Sequence, residues 1–313
     1  MTPFPLFRVE TGGLLTTVQD GGRVGHQRAG VPVSGAMDTF AASVANLLLG
    51  NVRGDAVLEI TLLGPVLLAL ADTRIALCGA DLSARVDGEP AALWWTSPLK
   101  TGQRLSFGRR RAGARAYLAV PGGFAVPRVL GSRSTLLRAG LGGYSGRRLQ
   151  AGDVLEGLDA LPFGERGLRP NDIPTYPLPA RLSILPGPHS SAFTATGWET
   201  LLSSEYTLTP QSDRMGYRLD GPMIERTGDG EILSEAMPFG GLQVPPDGRP
   251  ILLMADRQTT GGYPLIGTVI SADLPRAGQL APGDTVRFGP VALEEAHERA
   301  IREERWLRMV GGC

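Results

Sequence analysis

Ile251-Leu-Leu-Met-Ala-Asp-Arg-Gln-Thr-Thr-Gly-Gly-Tyr263 is the stretch from which the rest of the chain is best read. Its first five residues form a short apolar run, which predicts a buried strand. The next eight, Asp256 to Tyr263, bring a carboxylate, an amide, two hydroxyls, a phenol and a glycine pair to the end of that strand. Core packing does not call for such a set. Either a ligand is met here, or the strand ends in a turn whose side chains satisfy one another. Gly261 and Gly262 permit close backbone approach or positive φ. Asp256, Gln258, Thr259, Thr260 and Tyr263 are therefore candidates for holding a small polar molecule, with Asp256 as the candidate base.

Similar short apolar runs recur on both sides. Alternation over Thr73–Leu77, Arg115–Val120, Arg181–Leu185 and Thr285–Phe288 predicts strands. Turn pairs such as Asp87-Gly88 and Asp247-Gly248 separate such runs. With 43 glycines and 25 prolines in 313 residues, this pattern favours barrels or sandwiches over a doubly wound sheet. Two segments read as helix. Asp38 caps the first, whose apolar face is Ala41, Val44, Ala45, Leu48 and Leu49, and Gly50 ends it. The second runs from Val291 to Arg308, with Glu295/Arg299, Glu298/Arg302 and Glu304/Arg308 at helical spacing. A shorter helix is expected over Ser191–Leu202.

A weak repeat links the two ends of the chain. Arg23-Val-Gly-His26 resembles Arg214-Met-Gly-Tyr217, each after a loop aspartate, and Gly102–Gly108 resembles Gly283–Gly289 in the same order. The expected organisation is a β-rich half over 1–168, a Pro-rich connection over 169–179, a second β-rich half over 180–290 and a helix over 291–310.

Composition removes several function classes. Lys+Arg and Asp+Glu both number 31, which gives no electrostatic case for nucleic acid or an anionic membrane. The run Arg109-Arg110-Arg111 reads as a solvated turn. The longest apolar stretch, Pro65–Ala71, is too short for a membrane span, and the first residues carry no basic leader with an apolar core. Cys78 and Cys313 make neither a disulfide framework nor a metal set. Cys78 is expected to be a small buried hydrophobe, and a reducing cytoplasmic location is the default. The single lysine, Lys100, excludes Schiff-base chemistry, a P-loop and a biotin carrier within this chain. Gly140-Leu-Gly-Gly-Tyr-Ser-Gly-Arg147 lacks the strand, helix and lysine of a phosphate loop. His189 and His297 stand in no metal-ligand spacing, and no metal site is expected.

Two further blocks share the polar character of Asp256–Tyr263. Ser212-Asp-Arg-Met-Gly-Tyr-Arg218 sets Asp213 beside Arg214 and Arg218. Those guanidinium groups suit a carboxylate or phosphate held by two prongs, or an ion pair that locks a loop. Arg23 and His26 are the counterparts in the first half, with turn packing and proton transfer both open for His26. Gln243 and Glu59 lie inside apolar strands and must face a partner group or a cavity.

The chain resembles the family of 5-oxoprolinase C subunits, also called biotin-dependent carboxyltransferase, allophanate hydrolase subunit 2 or KipI antagonist (KipA-like). The resemblance rests on Asp20-Gly-Gly-Arg-Val-Gly25, Gly30-Val-Pro-Val-Ser-Gly-Ala-Met-Asp38, Asn46, Asn51, Leu58-Glu59 and Val120-Pro-Gly-Gly-Phe124. It continues through Gly131-Ser-Arg-Ser-Thr135, Ser212–Leu219, Gln243-Val244 and Asp256–Pro264. It implies a mainly β fold of two cyclophilin-like β-barrel halves with a few helices, including the C-terminal one.

The resemblance also implies a heteromeric hydrolase. A KipI-like partner and a LamB/YcsF-like partner would join this chain to convert 5-oxo-L-proline to L-glutamate with ATP hydrolysis. ATP with Mg2+ would be shared with the KipI-like partner, and no biotin would be attached to this chain. A lactam is a poor electrophile, and phosphorylating its carbonyl oxygen makes the carbon attackable, which calls for cations or donors around the phosphoryl group. The expected catalytic set is Asp256, Arg214 and Asp213. The expected substrate contacts are Gln258, Thr259, Thr260, Tyr263, Gln243, Arg218, Tyr217, Arg23 and His26. Two other readings stay open: a urea carboxylase-like carboxyltransferase component, and a non-catalytic antagonist of a KipI-like kinase inhibitor.

Overall fold

The strand expected at Ile251 forms as Ile251–Leu253, in a computed structural model that describes residues 2–160, 164–228 and 232–312. Its pairing continues past Leu253 by two backbone bonds, from Met254 N to Met215 O (2.9 Å) and from Asp256 N to Arg214 O (2.8 Å). Asp256 is thereby carried to the end of the strand beside Arg214.

The chain is mainly β and divides into two units: Met1–Val24, Ser34–Thr175 and Arg305–Cys313 in one, Gly25–Val33 and Tyr176–Glu304 in the other. The break after Thr175 falls in the Pro-rich stretch. Gly25–Val33 is grouped with the second unit, and the helix Leu293–Gly311 runs from the second unit into the first.

In the first unit the strands form two antiparallel sheets of six and five strands. Their facing sides meet in one apolar core that includes Phe7, Val9 and Leu67 from the first sheet and Val18, Ile60 and Leu118 from the second. The helix Thr39–Leu48 covers the other face of the five-stranded sheet. Ala41, Val44, Ala45 and Leu48 there join Val57, Ala76, Tyr117 and Cys78. Asp38 Oδ1 accepts from Ala41 N at 2.8 Å, the cap that the sequence predicts. Because helix and core enclose that sheet, all five residues of Val57–Thr61 are buried, so Glu59 needs internal partners. Burial raises the Cys78 thiol well above its usual range; Cys313 lies outside the described residues.

The second unit is a closed seven-stranded barrel. Its order is Ala180–Pro186, Leu265–Val269, Gly241–Gln243, Ile251–Leu253, Gly216–Asp220, Tyr206–Leu208 and Thr285–Pro290. A parallel pairing of Ala180–Pro186 with Thr285–Pro290 closes it. Alternate residues point inward, including Leu182, Ile184, Tyr217, Leu219, Val286 and Phe288, all buried. Outside the barrel, Glu235–Ala236 pairs with Thr260–Gly261. The helix expected at Ser191–Leu202 is a short turn, Ser190–Ala192, followed by Ala195–Ser203, capped by Thr194 Oγ1 accepting from Gly197 N at 3.0 Å.

One turn recurs in both units. In Lys100–Gln103, Gln150–Asp153 and Ala281–Asp284 the fourth N–H bonds to the first carbonyl at 3.0, 3.2 and 2.9 Å. Gly102, Gly152 and Gly283 take φ of 87°, 92° and 89°, which the third position of such a turn requires. The fourth side chain then accepts from the first N–H at 2.8, 2.8 and 2.9 Å. Each turn launches a strand.

No helix among the described residues is long and apolar enough to cross a membrane.

Candidate functional site

The barrel brings Arg214 and Asp256 into direct contact. Arg214 Nε donates to Asp256 Oδ2 at 2.9 Å and Nη2 to Oδ1 at 3.1 Å, with 6% of each side chain exposed. This is the planar two-pronged pairing that a guanidinium favours. With the backbone bond from Asp256 N to Arg214 O, it fastens the loop before Gly216–Asp220 to the loop after Ile251–Leu253. Both carboxylate oxygens of Asp256 face a guanidinium, so the geometry is that of a clamp.

Beyond the clamp lies a chain of amides. Gln258 Nε2 donates to Gln243 Oε1 at 3.1 Å, and Gln243 Nε2 reaches Tyr263 O at 3.3 Å and Met237 Sδ at 3.2 Å. Gln243 is 1% exposed, whereas Gln258, Thr259 and Tyr263 are half-buried and Thr260 is exposed. The polar turn is therefore rooted in the barrel and open at its tip. A Cβ on Gly261 would stand 2.8 Å from Gln243 Nε2, so glycine lets the turn lie against the amide without displacing it. Thr259 contributes its carbonyl to Met237 N at 3.1 Å.

The other residues expected in the site are placed differently. Asp213 is exposed, and its Oδ1 accepts from Met215 N (2.7 Å) and Gly216 N (3.2 Å), capping its own turn. Tyr217 points into the barrel and is buried, while Arg218, its neighbour on the strand, points out. Arg218 lines a groove of about 450 Å³ together with Thr209, Gln211 and Arg249; none of Arg214, Asp256, Gln243 or Gln258 lines that groove.

Arg23 and His26 fall in different units. Arg23 is fully buried and donates from Nε to Val129 O (3.0 Å) and from Nη2 to Ser134 O (2.7 Å). Asp20 supports the same loop, accepting from Gly22 N (2.8 Å), Ser132 Oγ (2.7 Å), Ser134 Oγ and Arg133 N. His26 is half-exposed and opens the short helix Gln27–Ala29.

Glu59 has the internal partners that its strand demands. Its Oε2 accepts from Met37 N (2.8 Å) and Tyr117 Oη (2.9 Å), and Tyr117 Oη accepts from Asp38 N (2.8 Å). Burial, then the Glu59 charge, hold the Tyr117 phenol well above its usual range, so it stays a donor. Asn51 links Asn46 Oδ1 (2.9 Å) and Val120 O (2.8 Å). These motif residues brace the first unit. Among the described residues no group of three or more His, Cys, Asp or Glu stands where it could hold a metal ion.

The family model "Carboxyltransferase domain, subdomain A and B" matches residues 29–290. The chain belongs to the carboxyltransferase-domain family. This carboxyltransferase-domain chain is 39% identical over 308 residues to the 5-oxoprolinase C subunit of Escherichia coli K12, covering 97% of both proteins. Identity to the 5-oxoprolinase C subunit of Haemophilus influenzae is 40% over 295 residues, covering 94% of each. Among solved structures, urea amidolyase of K. lactis superposes with a TM-score of 0.92 at 31% identity, covering 98% of this chain but 20% of that one. The carboxyltransferase domain thus corresponds to a whole polypeptide in the bacterial relatives and to a fraction of the amidolyase.

Two groups of note were not singled out as a site by sequence. His189 and Glu235 meet beside the amide chain, Nε2 to Oε1 at 3.6 Å. Their separation along the chain leaves no local signal that could have paired them.

Proposed function

We propose that this chain is the C subunit of an ATP-dependent 5-oxoprolinase, acting in the cytoplasm with a KipI-like partner and a LamB/YcsF-like partner. The observation that carries this reading is the near-complete, two-way coverage with two bacterial 5-oxoprolinase C subunits. The polar turn supports it. 5-Oxoproline carries a carboxylate beside its lactam ring, and the Gln243–Gln258 pair with the half-open turn from Thr259 to Tyr263 offers amide and hydroxyl groups to hold it. In this reading Gln258, Thr259, Thr260 and Tyr263 contact the substrate, and Gln243 orients Gln258. Arg214 and Asp256 position the turn. ATP with Mg2+ enters as co-substrate, handled with the KipI-like partner. The described residues of this chain do not fit a metal cage, so no step through the metal is assigned to them.

The test is glutamate release from 5-oxoproline by this chain assembled with its KipI-like and LamB/YcsF-like partners. Release that requires ATP and all three components is expected. Its absence, with an avidin-sensitive transfer of carbon dioxide from a separate biotin carrier, would favour a carboxyltransferase instead. The likeness to urea amidolyase is the observation behind that second reading.

A further inference from the structure

His189 accepts a backbone hydrogen bond from the strand beside it. The backbone N–H of Leu265 donates to His189 Nδ1 at 3.3 Å. An amide N–H only donates, so Nδ1 presents its lone pair and the neutral ring carries its proton on Nε2. Nε2 faces Glu235 Oε1 at 3.6 Å, which is longer than a direct hydrogen bond. A donor and an acceptor therefore stand side by side without saturating one another. Both are within reach of solvent, with 21% and 41% of the side chains exposed.

Their placement ties them to the amide chain. Glu235 lies opposite Gly261 in the outer pairing, and Leu265 lies opposite Gln243 in the barrel. The loop that carries His189 is fixed by Gly187 N donating to Ile266 O at 2.8 Å. A Cβ at Gly187 would come within 2.4 Å of Leu265 O, so this approach depends on glycine.

We propose that His189 and Glu235 together recognise the edge of a cis amide, as found in a lactam or ureido ring. Nε2–H donates to the carbonyl oxygen, and the Glu235 carboxylate accepts from the adjacent N–H. A trans amide directs those two groups to opposite sides and engages only one of them. In this pairing Nε2–H polarises the carbonyl by donating a hydrogen bond to its oxygen. This rests on the lactam reading above and narrows it to the cis-amide edge.

The test uses the full chain assembled with its partners and labelled with 15N-histidine. The chain has three histidines, and His189→Gln identifies the relevant ring. Without ligand, Nε2 should resonate as the protonated nitrogen and Nδ1 as the bare one. Adding 2-pyrrolidinone should shift the His189 signals, N-methyl-2-pyrrolidinone should not, and Glu235→Gln should weaken the lactam response about tenfold. A proton on Nδ1, equal responses to the two lactams, or no response to either would overturn the proposal. Glutamate release measured on the same complex separates the two levels. Turnover with an unmoved His189 removes only the cis-amide edge. A His189 shift without turnover removes only the proposed reaction.

Discussion

Arg23 in the first unit and Arg214 in the second occupy matching places in a repeated sequence, and both are buried, yet they are held by different chemistry. Arg23 donates to two backbone carbonyls, Val129 O and Ser134 O, and pins a loop of its own unit. Arg214 donates both prongs to the Asp256 carboxylate and joins two barrel loops. The motif is in each case a fastener. A buried charge matched by a carboxylate leaves a second charge stranded when it is removed, whereas one matched by carbonyls leaves neutral acceptors.

That difference sets the largest expected effect. Arg214→Met should cost about 3–5 kcal/mol in chemical denaturation, because Asp256 stays buried without its counter-charge. Arg23→Met should cost less, about 1–3 kcal/mol in all, because it leaves neutral carbonyl acceptors rather than a stranded charge. Equal losses in the two variants would break the comparison.

A third variant sharpens the division between fastener and site. Gln243→Leu keeps the volume of a buried side chain but removes the acceptor for Gln258. Stability should fall by about 1–3 kcal/mol, because Tyr263 O and Gln258 Nε2 lose their partner, while the KM for 5-oxoproline in the assembled complex should rise about tenfold. An unchanged KM would detach the amide pair from substrate binding.

The smallest effect concerns pH and a fastener nearer the surface. Arg147 donates to both Asp153 oxygens at 2.7 Å, and that bond, opposed by burial, lowers the Asp153 pKa. A carboxylate depressed in the folded state adds stability above the ordinary aspartate range near about 3.9. That stability is lost as the pH falls through the lower folded value. Acid unfolding followed by circular dichroism should therefore show a shallower pH dependence in Asp153→Asn than in the wild type. Identical profiles would contradict the assignment.

What the sequence made legible was local. Asp38 caps its helix because an N-cap needs only the next three residues. The strands at Thr73 and Arg115 were visible as short apolar runs, and both faces of their sheet are covered, one by the core and the other by the helix Thr39–Leu48. The polar turn at Asp256–Tyr263 was visible as an excess of hydrogen-bonding groups. Its anchoring was not, since Arg214 and Asp256 are 42 residues apart and an ion pair was only one of two readings for the arginines. The recurring glycine turn shows in part. Matching Gly102 to Gly283 finds two copies, but Gly152-Asp153 is the closer relative of Gly283-Asp284 and follows no arginine motif. The partners of His189 stayed hidden for the same reason as the Arg214–Asp256 pair: Leu265 and Glu235 come to it only through the fold. The grouping of Gly25–Val33 with the second unit is also set by contacts distant in sequence.

The most direct measurement is a double-mutant cycle on Arg214→Met and Asp256→Leu, read by equilibrium denaturation. If the two side chains are one clamp, each single change is severe and the double variant recovers much of the loss, giving a coupling of about 3 kcal/mol or more. Additive losses, with a coupling below about 0.5 kcal/mol, would contradict it.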